Sequence, residues 1–327
     1  MLQFIIRRIL ITIPMLLLVS ILVFVIIQLP PGDVASHQVN QLLVQGIVVQ
    51  EGHLEALRAR YGLDRPMYQR YFLWMGRLMR GDLGVSFIAR RPVMEVVAER
   101  LPLTAAVALA SLVFTWVVAF LVGVYSATHQ YSMGDYAASF IGFLGLATPN
   151  FMLALIMLWI AYSVFGQTLG GLQSAEFRGA GWSIPAVLDF LRHLIIPTIV
   201  VGTAGTAGTI RILRANLLDE LKKPYVVTAE AKGVPAFRRL FKYPVRVALL
   251  PFMSTVGWQL PILVSGEVIT AVVLGLPTVG PMLLSALLGQ DMYLAGALVL
   301  FISLLTIVGT LISDILLAWI DPRIRYV

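Results

Sequence analysis

The sequence predicts an all-α integral membrane fold: six transmembrane helices, an outer helical segment between the first two, and a basic cytoplasmic loop between the fourth and fifth. Three observations carry this. Hydrophobic residues make up 59% of the 327-residue chain and charged residues only 13%. With a mean hydropathy of +0.88, the chain cannot cover itself with a solvated surface, so lipid must contact much of its exterior. Apolar runs near 9–29, 102–127, 137–163, 194–213, 251–274 and 293–317 each approach the ~20 residues that a helix needs to cross hydrocarbon. Finally, nine Lys and Arg fall within 211–246, a concentration that builds a surface for the aqueous phase.

The first span follows MLQFIIRR and is nearer in length to a full crossing than to a signal-peptide core, so it is read as a retained helix. A cleavage-like Val34-Ala35-Ser36 keeps the signal-peptide reading open. Arg7 and Arg8, the 211–246 cluster, and Arg323 with Arg325 fall on one side of a six-span chain. The positive-inside rule makes that side, with both termini, cytoplasmic. Between the first two spans lie nine further arginines, Arg58 to Arg100, but loops beyond ~60 residues escape that rule. In this outer segment EGHLEALRARYGLD and PMYQRYFLWMGRLMRGDLG carry apolar residues at helical spacing, with Gly62 and Gly81 as stops. Ser86 is expected exposed on the outside and Lys223 on the inside. The short amphipathic piece IPAVLDFLRH, 184–193, is expected to lie in the interface before the fourth span. The resulting organisation is 1–29, N-terminus and first span; 30–101, outer helical segment; 102–327, a five-helix core with the 211–250 loop.

Several function classes fall away. The net charge of +7 comes with no zinc-finger spacing or aromatic RNA-binding motif, so anionic lipid headgroups account for it and nucleic acid is not expected as a partner. There are no cysteines, and His37, His53, His129 and His193 lack metal-ligand spacing. No Gly-Lys pair occurs, so the chain has no phosphate-cradling loop, is not expected to be an enzyme, and is expected to hold no cofactor of its own. The run GTAGTAG, 202–208, lies within an apolar helix rather than at a strand-to-helix turn, which favours close helix packing over a dinucleotide site.

Intramembrane charge is costly, so Glu267 and Asp314 require a reason. Asp314 sits near the cytoplasmic end of its span, where snorkelling or pairing suffices. For Glu267 a place on a translocation path and a buried structural hydrogen bond both stand; Thr270, three residues on, shares its helical face. Pro149 and Asn150 interrupt an otherwise continuous helix and mark a gate or a packing kink.

The order of residues in the basic loop says more than its charge. YVVTAEAKG, Tyr225 to Gly233, followed by FRRLFKYPVRVALLP, resembles the signature loop of binding-protein-dependent importer permeases. The likeness is to the dipeptide, oligopeptide and nickel group of the ATP-binding-cassette superfamily. Further matches occur in order along nearly the whole chain: RRILITIPMLLLVSILVFVIIQLPPGD, YGLDRP, RGDLGVSF, ERLPLT, ATPNF and LAWIDPRIRYV.

The resemblance implies a multi-pass permease in a bacterial cytoplasmic membrane, with the outer segment periplasmic. It implies one half of a pore completed by a second homologous permease, driven by two ATPase subunits that hold Mg-ATP and supplied by a periplasmic or lipid-anchored solute-binding protein. Tyr225, Thr228, Ala229, Glu230, Ala231, Lys232 and Gly233 would form the coupling helix and its turn, seated in a groove of the ATPase. Glu267, Thr270, Pro149 and Asn150 are the candidates for the path. Closure of the ATPases would push on the coupling helix and open the pair outward; collapse would pass the cargo inward. Peptides head the substrates implied, followed by nickel chelates, oligosaccharides and opines. Two departures from the family pattern stand out. Pro244 lacks the N–H of a helix interior, so a helix should start or kink there, and the acid of the fifth span is Glu267, where many relatives carry a Glu near position 271. The alternative class, a stand-alone secondary transporter or channel, would show paired discontinuous helices and inverted repeats.

Overall fold

The computed structural model describes residues 2–29, 32–48, 50, 52–179, 181–265 and 268–320. Among them the chain forms α-helices and one isolated antiparallel bridge, Val85 with Pro92. In chain order the helices are α1 (Leu2–Gln28), α2 (Val34–Val44), α3 (His53–Tyr61), α4 (Met67–Leu78), α5 (Val93–Thr128), α6 (Met133–Ala147), α7 (Asn150–Phe165) and α8 (Ile184–Leu221). They continue with α9 (Pro224–Ala231), α10 (Ala236–Lys242), α11 (Pro244–Ser254), α12 (Val256–Ser265), α13 (Val268–Val273), α14 (Val279–Leu288) and α15 (Met292–Ile320). Among the described residues four helices are long and apolar enough to cross a membrane, and up to six spans result if each of two bent pairs counts as one.

The chain divides into two units. One comprises Leu2–Leu103 and Thr278–Leu304. Its core gathers Phe24 and Ile27 of α1, Trp74 of α4, Val93, Val96 and Val97 of α5, and Ala295 and Leu298 of α15. The segment between the first two spans folds into short helices as expected, with Gly62 capping α3 in a left-handed conformation. Ser86, expected to be exposed, is buried: its hydroxyl donates to the Asp291 carboxylate at 2.6 Å. The same carboxylate accepts the backbone N–H of Ile88 at 3.0 Å and that of Leu294 at 3.1 Å, so Asp291 both caps α15 and pins the 86–88 turn.

The other unit comprises Thr104–Pro277 and Leu305–Val327. At its centre lies α8, with α6, α7 and α11 packed along it. Three expectations need correction here. The piece 184–193 is not separate, because Ser183 caps the helix through Ala186 N–H and α8 then runs unbroken for 38 residues. It passes through Pro197, whose missing N–H is tolerated where neighbouring helices enclose the break. The basic loop is correspondingly shorter than 211–250, since α8 persists to Leu221 and α11 begins at Pro244. The fifth span is interrupted: α10–α11 and α12 meet at a 40° bend around Thr255, and α13 is a separate short helix. Pro251 and Pro261 each remove a backbone donor along this stretch.

Small residues permit the close approach of α8. A Cβ on Gly202 would lie 2.6 Å from the Phe114 ring, and Thr115 donates to the Gly202 carbonyl at 2.8 Å. The GTAGTAG run therefore packs helices, as its setting in an apolar helix predicts.

Candidate functional site

The basic segment between α8 and α11 is a compact helical bracket. Lys223 precedes α9 in extended conformation and Pro224 takes the first helical position, where a missing N–H costs nothing. Of the α9 side chains only Val226 and Ala229, three apart on one face, are buried; Tyr225, Val227, Thr228, Glu230 and Ala231 are exposed. The helix closes in a Schellman turn, with Val234 N–H on the Ala229 carbonyl at 3.1 Å and Gly233 N–H on that of Glu230 at 2.8 Å. Gly233 has φ +71° and open space where a Cβ would be, so its backbone angle rather than crowding requires glycine.

Pro235 opens α10, and Arg239 returns to Glu230 at 2.8 Å, bracing α10 against α9. Thr228 Oγ1 donates to the Pro224 carbonyl at 2.9 Å, and the Tyr225 hydroxyl donates to the Glu220 carboxylate at the end of α8. Burial and then the Glu220 carboxylate push the Tyr225 hydroxyl well above its ordinary pKa, so it stays a donor at every physiological pH. As expected, Pro244 starts a helix; α11 then buries Val245, Ala248 and Phe252 against Leu213 and Leu217 of α8 and Ala119 of α5.

The bracket is thus joined at its two ends to α8 and α11 while most of its α9 and α10 side chains are exposed. That surface is mixed. Val227 is 57% and Phe237 75% exposed, and Lys222, Lys223, Lys232, Arg238 and Lys242 of the same segment are exposed as well. Exposed apolar side chains amid cations suit a partner rather than bulk water.

The other candidates are separate from this bracket. Thr148 takes an extended conformation, as a residue before proline should, and α6 and α7 meet at 105° across Thr148 and Pro149. The break leaves few unsatisfied groups: Thr148 Oγ1 bonds Leu144 O at 2.8 Å, and Met152 and Leu153 N–H bond Pro149 O. Pro149 is exposed and Asn150 half-buried. Thr270 is buried on α13, which packs on α7. Glu267 lies outside the described residues, so the fifth-span acid has no described partner set.

Two polar links were not anticipated from sequence. Arg214 of α8 meets the buried Asp135 carboxylate at the start of α6 at 2.8 Å, and Tyr131 N–H adds a bond at 3.0 Å. The available signal was Ser132-x-x-Asp135, a capping pattern in which Ser132 accepts the Asp135 N–H. Gln259 of α12 donates to Thr209 of α8 at 2.7 Å in a fully buried position. A lone glutamine within an apolar run was its only sign.

Comparison with known proteins accounts for this architecture. The family of binding-protein-dependent transport system inner membrane components matches residues 119–326, and the N-terminal part of such components matches residues 1–108. The chain is 36% identical over 330 residues to the oligopeptide transport system permease protein AppB of Bacillus subtilis strain 168, covering 100% of both. It is 32% identical over 339 residues to the di/tripeptide transport system permease protein DppB of Pseudomonas aeruginosa strain UCBPP-PA14, covering 100% of this chain and 99% of that one. With full-length matches on both sides and an all-helical, membrane-spanning structure beneath them, the chain belongs to the binding-protein-dependent transport system inner membrane component family, the permeases of ATP-binding-cassette importers.

Proposed function

We propose that this permease carries peptides and that α9 with the Gly233 turn is the element through which ATPase subunits drive it. The observation that carries the reading is the exposure of α9: a helix that buries only Val226 and Ala229 follows directly on α8 and is braced by Glu230 on Arg239 to α10, which packs on α11, so its exposed face sits on a firm mount. Motion imposed on such a bracket reaches the spans because α8 is one continuous helix of 38 residues. Force from a distant ATP site acts only through an element that both conformational states bias, and a braced bracket on a long helix meets that requirement.

In this reading the chain forms half of the pore, a second homologous permease completes it, two ATPase subunits holding Mg-ATP engage the two brackets, and a solute-binding protein delivers cargo from outside. The bracket and both termini are cytoplasmic and the membrane is the bacterial inner membrane. Support for peptide as cargo comes from the full-length relatives, an oligopeptide and a di/tripeptide transport permease. The breaks at Pro149 and around Thr255 supply the joints about which the spans would repack, and Glu267, Thr270 and Asn150 remain the candidates for contact with cargo. The family assignment leaves a stand-alone secondary transporter without support.

A photoreactive amino acid at Val227 tests the reading in the purified complex. Capture of an ATPase subunit is expected. Capture of lipid alone, with the complex intact, would contradict it.

A further inference from the structure

The unit formed by Leu2–Leu103 and Thr278–Leu304 contains a cavity of about 1060 Å3. Four arginines line it, Arg65, Arg70, Arg77 and Arg90, against one carboxylate, that of Asp82. Asp82 already accepts the Gly84 N–H at 2.8 Å, and among the described residues none of the four arginines is in an ion pair.

Arg70 is the most telling. Its Nε is buried with no hydrogen-bond partner among the described residues, and its terminal nitrogen reaches only the Met292 sulfur at 3.8 Å. Burial lowers its pKa, the sign of a guanidinium removed from water. Asp33, the carboxylate whose charge acts on it, is engaged by Arg58 at 2.7 Å. An unpaired, partly desolvated cation is costly unless an anion joins it. Arg70 and Arg77 are aligned by helical spacing, with Leu73 between them on the same lining face of α4.

Arg90 adds a second direction of approach. It has φ +53°, uncommon for a residue with a side chain. The turn that holds it there is fixed by Ser86 N–H on Arg91 O, Arg90 N–H on Ser86 O, and Ser86 on Asp291. Strain of this kind persists where the surroundings enforce it, and here it places a cation at a cavity wall. The remaining lining includes Leu42, Leu57 and Leu73, so an apolar body is accommodated beside the charge. The volume lies just above the ~300–1,000 Å3 typical of small-molecule sites.

We propose that this cavity binds an organic oxyanion, a carboxylate or phosphate carried on a small partly apolar body, with Arg70 as its central contact and Arg65, Arg77 and Arg90 around it. The guanidinium fork matches both anions through paired N–H bonds. Two sources offer this chemistry, the terminal carboxylate of a short peptide and the phosphate of an anionic lipid. The proposal is independent of the role assigned to α9.

The test uses the full-length chain in phosphatidylcholine nanodiscs. Binding of trialanine and of trialanine amide is measured by calorimetry, and retention of phosphatidylglycerol against phosphatidylcholine by native mass spectrometry. Arg70→Gln is compared with the double variant Arg65→Gln/Arg90→Gln, which leaves the partly buried guanidinium in place should Arg70→Gln fail to fold. One oxyanion is expected to bind, to be displaced by inorganic phosphate, and to weaken about tenfold or more in the folded variants. Preference for trialanine over its amide identifies a soluble carboxylate; selective retention of phosphatidylglycerol identifies a headgroup. If trialanine is not preferred over its amide and phosphatidylglycerol is not preferred over phosphatidylcholine, or if the double variant binds as tightly as the parent, the proposal is overturned.

Discussion

Arg214 reaches Asp135 at 2.8 Å, tying the stretch of α8 that enters the bracket to the first turn of α6, the helix that ends at the Pro149 break. One ion pair therefore joins the two helices that lead, one into the bracket and the other to the 105° bend. The carboxylate is buried and the guanidinium 29% exposed, so loss of either partner leaves an uncompensated charge that water only partly relieves.

Asp135→Asn should destabilise the purified chain by about 1–3 kcal/mol, less than the ~3–5 kcal/mol of a fully buried pair, because Arg214 retains some solvent. Thermal unfolding in detergent measures it. The exchange Asp135→Arg/Arg214→Asp should recover part of the loss; a double variant no more stable than the worse single variant would show that the pair makes no specific contribution.

Asp291→Ala should destabilise by about 1–3 kcal/mol, since three donors, Ser86 Oγ, Ile88 N and Leu294 N, lose their acceptor. Asp291→Asn keeps one acceptor oxygen and should lose less. Hydrogen exchange at residues 86–88 and 292–295 should rise together in the alanine variant. A rise confined to one of the two would separate the cap from the turn.

Asp33 predicts an acid limit for α2 and α3. Burial alone would raise its pKa, but the Ser36 N–H at 2.7 Å, the Ser36 hydroxyl and Arg58 outweigh burial and hold it below the ordinary carboxylate value. A depressed folded-state pKa contributes stability that is fully present above the unfolded value, about 3.9, and is lost as pH falls through the folded one. Exchange protection in α2 and α3 should therefore hold at pH 5 and decline below about pH 4. In Asp33→Asn the protection should be lower at pH 5 and flat across that window.

The assigned sidedness is tested by single cysteines, since the chain has none of its own. Met79 is 82% exposed and Lys223 is exposed beside α9. In intact cells with a permeabilised outer membrane, an impermeant thiol reagent should label Met79→Cys and spare Lys223→Cys. The reverse pattern would invert the orientation. Ser86, attractive from the sequence alone, is unsuitable because it is buried on Asp291.

What was legible in the sequence was whatever depends on local composition. Apolar runs long enough to cross hydrocarbon placed the spans, Pro149 marked the bend, Gly233 marked the left-handed turn, and Pro244 marked a helix start. The continuity of α8 was hidden because IPAVLDFLRH has its own amphipathic character, and only the Ser183 cap and neighbouring helices decide that it joins the span. Arg214 with Asp135 and Gln259 with Thr209 were illegible for another reason: they pair residues 79 and 50 positions apart, and no periodicity reports such contacts. Glu267 lies outside the described residues, so its role rests on the sequence argument for the cost of intramembrane charge.

Substrate-stimulated ATP hydrolysis by the reconstituted complex, compared between Gly233→Val and Gly233→Asn, tests the central claim most directly. At φ +71° a β-branched side chain is strained by about 1–2 kcal/mol or more, whereas asparagine adopts that conformation readily. The Val variant should assemble yet lose most of the stimulation and uptake, because the bracket is misplaced against the ATPase, and the Asn variant should retain both. Normal stimulation and uptake with Gly233→Val would contradict the account, showing that α9 and its turn do not carry the drive.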